Sequence, residues 1–81
     1  MNTGFIRKWN FNDGVGLIVG CGGEPGVYPF EWGRCTGPLQ TDLAQDGNRI
    51  IDIDSPCPGP TGAIQVKFEV LAGEARNVDL A

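Results

Sequence analysis

The chain has 81 residues, 41% of them hydrophobic, and six Lys and Arg against ten Asp and Glu give it a net charge of −4. This length predicts one domain, residues 1–81, with one small core. The sequence contains no histidine, which excludes a catalytic Ser-His or Cys-His pair. No apolar run approaches the ~20 residues of a membrane span, and we expect no signal peptide. These features predict a cytoplasmic domain without enzymatic activity, cofactor or membrane partner.

The N-terminal part of the chain alternates between extended segments and turns. Asn12-Asp13-Gly14 and the glycine-rich run 20–26 are typical of turns. Between and around them, aromatic and β-branched residues favour strands, and the predicted strands are residues 3–9, 15–19 and 27–32. Pro29 places the third of these at a sheet edge or at a bulge.

The middle of the chain, residues 33–62, is long and mixed. Residues 42–45 could make one helical turn at most, and the imperfect alternation of Arg49–Asp54 predicts a short extra strand. Three prolines in residues 55–60 predict an exposed loop, because proline removes a backbone donor and fixes φ.

The C-terminal part contains the clearest strand, in which Ile64, Val66, Phe68 and Val70 alternate with mostly polar residues. A last strand is predicted over residues 75–80. Five main strands in a chain of this size predict a small closed or nearly closed barrel, because closure removes unprotected sheet edges.

The three cysteines, Cys21, Cys35 and Cys57, are widely spaced and form no Cys-x-x-Cys motif. We expect three reduced, inert thiols, and no metal site. Two alternatives stay open, since spacing does not decide between them: a disulfide between Cys35 and Cys57, and a zinc site of three thiolates and one carboxylate.

Motifs at both ends of the chain resemble the cold-shock domain family. Thr3–Asn10 resembles the opening pattern T-G-x-V-K-W-F-N, and Asp13–Ile18 resembles the first ribonucleoprotein motif, K-G-F-G-F-I. Val27–Glu31 resembles the second motif, V-F-V-H-F, and Val66–Val70 with the later Ala75–Val78 is similar to the closing V-x-F-x-V and A-x-N-V. The resemblance leaves out residues 33–62.

This resemblance implies an all-β fold, a five-stranded Greek-key OB-fold barrel, here with an extended loop or an extra short strand. It also implies single-stranded RNA or DNA as the ligand. Exposed rings of such a surface stack unpaired bases, while Lys and Arg meet the phosphates. The residues expected at this interface are Arg7, Lys8, Trp9, Phe11, Leu17, Tyr28, Phe30 and Trp32.

The chain departs from the family pattern at several stacking positions. The two phenylalanines of the first motif are Val15 and Leu17 here, and its lysine is Asp13. The remaining aromatic residues could pack the core instead of stacking bases, and the cations could be ordinary surface charges. A second function therefore stays open: a repurposed barrel that binds a protein of the transcription or translation machinery, with residues 33–62 as the contact.

Overall fold

A computed structural model describes residues 2–45, 50–52 and 54–81. These residues form six strands, one α-helix and one 3₁₀ turn: β1 (Asn2–Asn10), β2 (Val15–Gly22), β3 (Gly26–Glu31), the 3₁₀ turn (Trp32–Arg34), α1 (Gly37–Gln45), β4 (Ile50–Asp52), β5 (Gln65–Leu71) and β6 (Glu74–Leu80). The chain is mostly β, and the nine-residue helix α1 departs from the all-β expectation. The predicted extra strand over Arg49–Asp54 corresponds to β4, and its residues Arg49 and Ile53 lie outside the described part of the chain.

The strands form an antiparallel sheet with β1 at its centre. The order is β3-β2-β1-β5-β6, and β4 pairs with β1 beside this path. The first half of β1 pairs with β5 and its last three residues pair with β4. Pro29 lies on β3, the end strand, as its missing backbone donor requires.

The sheet is not closed by strand pairing in the described residues. β3 and β6 stand at its two ends, and Phe30 of β3 and Ala75 of β6 line one small pocket without a backbone ladder between the strands. The structure therefore shows a curved antiparallel sheet, while the closed barrel stays a prediction.

A bulge in β1 decides which side chains face the core. Ile6 pairs with Ile18 and Lys8 pairs with Leu17, so Arg7 is an extra residue in β1. Such an insertion reverses the side of the sheet that the following residues face. Trp9 consequently points to the same side as Ile6, and both are buried.

The helix α1 is longer than the single turn predicted at 42–45. Leu39 and Leu43 lie one turn apart on its buried face and are fully buried with the inward residues of the sheet. Pro38 stands in the first turn, where its missing donor does no harm, and the Leu39 amide donates to Oδ1 of Asp79 in β6. No helix among the described residues is long and apolar enough to cross a membrane.

The cysteine prediction was wrong for two of the three thiols. Cys21 and Cys57 form a disulfide with their Cα atoms 5.6 Å apart, and Cys35 is the free, buried cysteine instead of a partner of Cys57. The reason is spatial: the chain returns past the end of β2 only after 36 residues, which no local spacing reveals. In the described part of the chain, no group of three His, Cys, Asp or Glu could hold a metal ion.

Candidate functional site

Two of the expected stacking rings, Trp9 and Phe30, belong to the core. Their exposed fractions are 1% and 2%, and the rings stack on each other with centroids 5.5 Å apart at 19°. The indole Nε1 of Trp9 is buried without an acceptor among the described residues. A base could reach either ring only by opening the core. Both side chains therefore pack the core and present no accessible ring for base stacking.

Tyr28 also faces inward, although it is only half-buried. Its ring packs at 53° against Phe68, with the centroids 5.7 Å apart. Its hydroxyl lies 3.1 Å from the carbonyl oxygens of both Glu24 and Pro25 and donates to this pair. Tyr28 therefore anchors the turn between β2 and β3, and its ring offers little surface to a ligand.

The outer face of β1–β3, opposite the core, is mainly aliphatic. Leu17 lies on this face between Lys8 of β1 and Pro29 of β3, its partners in the strand register. At the two ends of the face, Val15 and Val27 are 42% and 49% exposed. The face therefore presents branched aliphatic groups where the family resemblance implies aromatic ones.

One end of the outer face is covered by residues 54–63, which we call the Pro-rich loop. Phe5 pairs with Val19, an outward residue of β2, yet Phe5 is fully buried. A Cβ added to Gly59 would lie 2.9 Å from the Phe5 ring, so the loop backbone rests directly on the ring. Nothing in the local sequence around Phe5 indicates that a distant loop covers this outward position.

A pocket of about 310 Å³ opens at the end of β1, where the inward Trp9 and the core residue Leu43 form part of its lining. It lies between the turn that follows β1 and the end of α1, and we call it the aromatic pocket. Its lining residues are Trp9, Phe11, Asn12, Asp13, Gly14, Trp32, Leu43 and Ala44. Of the expected interface residues, the pocket brings together Phe11, Trp32 and the buried Trp9.

Trp32 is held firmly in the wall of the aromatic pocket. Its indole Nε1 donates to the Gln40 carbonyl at 2.8 Å, and its backbone amide donates to the Gly14 carbonyl at 2.8 Å. The residue is still 40% exposed. The ring is thus a fixed and accessible platform, in contrast to the buried ring of Trp9.

The charges around these surfaces are mixed. Lys8 is exposed on the outer face, and Arg7 is half-buried at the bulge, where its guanidinium lies 4.0 Å from the exposed carboxylate of Asp54. At the aromatic pocket, the Asp13 carboxylate accepts a hydrogen bond from Asn10 Nδ2 at 3.0 Å. A phosphate would meet cations along β1 and an acid at the pocket.

Comparisons with protein-family models, with curated proteins and with solved structures give no match for this chain. The resemblance to cold-shock domains therefore depends on the chain's own motifs and on nothing further.

Proposed function

We propose that this chain is a small cytoplasmic domain that binds single-stranded RNA or DNA without enzymatic activity. In this proposal the curved sheet is an OB-type barrel of the cold-shock kind. The observation that carries the proposal is the aromatic pocket, where the accessible rings of Phe11 and Trp32 share one apolar cavity.

The size and rigidity of the aromatic pocket suit one flat ring system. Its ~310 Å³ is at the lower end of the ~300–1,000 Å³ that small-molecule sites span. Because Trp32 is already fixed by two hydrogen bonds, little side-chain freedom is lost when a ligand stacks on it. A single unpaired base fits this description better than a larger ligand.

The cations that would meet the phosphates lie on β1. Lys8 is exposed near the end of β1, and Phe11 begins the turn that follows this strand. A strand of nucleic acid that enters the aromatic pocket could therefore run along β1, with Lys8 and Arg7 beside its backbone. Asp13 at the pocket weakens the attraction there.

Few accessible rings and mixed charges imply weak binding. Two stacking contacts of about 1–3 kcal/mol each correspond to dissociation constants from tens of micromolar upward. Binding should weaken further as salt rises, since Lys8 and Arg7 act through charge.

An oligonucleotide titration tests the proposal. Oligo-dT and oligo-rU should quench Trp32 fluorescence and shift the backbone amide signals of the aromatic pocket at low salt. Phe11→Ala should abolish both changes, while Val27→Ala, a matched control on the outer face, should leave them as in the unaltered chain. Unchanged signals at millimolar oligonucleotide with an intact β spectrum would contradict nucleic-acid binding.

The aliphatic outer face favours a second candidate function, binding of a protein partner. Val15, Leu17 and Val27 offer branched side chains without a stacking ring, and charged residues are depleted at the centre of protein interfaces. Residues 33–62 would contribute the exposed residues of α1 to such an interface. Val27→Lys should then abolish capture of a transcription or translation protein and leave oligonucleotide titrations unaffected.

A further inference from the structure

Phe5 is an aromatic residue on the outer face whose burial comes from the Pro-rich loop. It is fully buried, yet it does not belong to the cluster of core residues that contains its neighbour Ile6. The contact with Gly59 shows that the loop backbone closes over the ring. If the loop moved away, Phe5 would be an exposed ring on the same strand and face as Lys8.

Few contacts hold the Pro-rich loop against the sheet. Its hydrogen bonds from Gly59 to Pro56 and from Ala63 to Pro60 are internal to the loop. Among the described residues, the ties to the sheet are the Cys21–Cys57 disulfide, the Phe5–Gly59 contact, a 2.9 Å bond from Gln65 Nε2 to the Pro58 carbonyl, and the exposed 4.0 Å ion pair of Arg7 with Asp54. The disulfide is the covalent tie among these contacts.

The disulfide is placed where a reductant can reach it. Cys57 is exposed and Cys21 is half-buried, whereas the free Cys35 is buried in the core. Disulfides in cytoplasmic proteins are usually transient and redox-sensing, and exchange requires access to a sulfur. Redox chemistry should therefore be confined to the Cys21–Cys57 pair.

We propose that the Cys21–Cys57 disulfide is a redox latch that keeps the Pro-rich loop over Phe5, and that its reduction adds Phe5 to the nucleic-acid surface. The reductant is a dithiol: one thiolate attacks a sulfur of the pair, a mixed disulfide forms, and the second thiol releases it. Two electrons and two protons pass to Cys21 and Cys57, and the dithiol becomes a disulfide. This inference rests on the proposed function, because it concerns the regulation of that surface.

The change in affinity follows from one additional stacked base. A third accessible ring on the same face as Lys8 should strengthen oligonucleotide binding between about fivefold and 150-fold. The gain should be specific to reduction of this pair, since Phe5 becomes accessible only when the loop leaves it.

The test measures loop position and binding separately, with and without dithiothreitol. The nuclear Overhauser effect between the Gly59 α-protons and the Phe5 ring should be strong in the oxidised protein and lost on reduction. Oligo-dT affinity should rise by at least fivefold in the same sample. The Cys21→Ala/Cys57→Ala double variant should bind like the reduced chain in both conditions, and Cys35→Ala should keep the response of the unaltered chain.

The outcomes separate the two proposals. If the Gly59–Phe5 effect persists after reduction, or if affinity is equal in both redox states, the latch is wrong while base binding stands. If reduction frees the loop but no oligonucleotide binds in either state, the proposed function is wrong, and with it the role of the latch in binding. Phe5→Leu should remove the affinity gain on reduction, and retention of the gain would also overturn the latch.

Discussion

Breaking the disulfide between Cys21 and Cys57 should lower the free energy of unfolding by about 4 kcal/mol. The bond joins residues that are 36 positions apart. In the chain-entropy description, a closed loop of that length removes about 13 cal/mol/K from the unfolded ensemble, which is about 4 kcal/mol at 25 °C. For a domain of this size, that loss corresponds to a decrease in Tm of about 15–30 °C.

Urea unfolding with and without dithiothreitol measures this loss. The reduced protein should keep its β spectrum in water, because the disulfide lies on the outer face and the buried cluster around Ile18, Leu43 and Phe68 does not depend on it. The midpoint should fall on reduction, and the slope should rise as the unfolded chain expands. Cys21→Ala/Cys57→Ala should unfold at the reduced midpoint in both conditions. Coincident midpoints for the oxidised and reduced protein would refute the reasoning.

Three further predictions concern single positions. Gly4→Ala should disrupt the pairing of β1 with β2, because a Cβ at Gly4 would collide with the Val19 carbonyl oxygen; a near-unchanged urea midpoint would contradict this. Leu43→Ala should cost about 2–5 kcal/mol in urea unfolding, because it empties a fully buried site under the sheet, whereas the exposed Leu71→Ala should cost less than 1 kcal/mol. Burial, and secondarily the charge of Asp79, raises the pKa of the Cys35 thiol to about 12. The folded state therefore holds this proton more tightly than the unfolded state does. The contribution of the protonated Cys35 thiol to the free energy of unfolding is complete below about pH 9 and declines as the pH rises towards 12. Native Cys35 should therefore resist iodoacetamide at pH 8.5 and react once urea is added, and rapid native labelling would contradict its burial.

The strands could be predicted because their signals are local. The alternation of Val66, Phe68 and Val70 is contained in a single segment, and β5 forms there. The full length of α1 could not be predicted, because its local signal is a single pair of leucines, Leu39 and Leu43, that follows a proline. Thr41 and Asp42 lie between the two leucines, and both residue types favour helices only weakly. Its formation depends on burial of Leu39 and Leu43 against β6, which is a tertiary effect.

The side of the sheet that each ring faces could not be predicted, because the bulge at Arg7 is a property of strand pairing. Strict alternation from the inward Ile6 would place Trp9 outward, on the expected stacking surface. The extra residue in β1 turns Trp9 inward instead, where Phe30 stacks on it. The disulfide partner was beyond prediction for a similar reason, since it depends on where the chain returns and not on spacing.

The distribution of the seven aromatic side chains indicates where function can reside. A chain of 81 residues has one small core, and the inward rings of Trp9, Tyr28, Phe30 and Phe68 are used to build it. The Pro-rich loop covers a fifth ring, Phe5. The remaining two, Phe11 and Trp32, meet in the aromatic pocket. The proposed base stacking would therefore use the aromatic pocket in the oxidised state, with Phe5 as a further ring only when the loop is released.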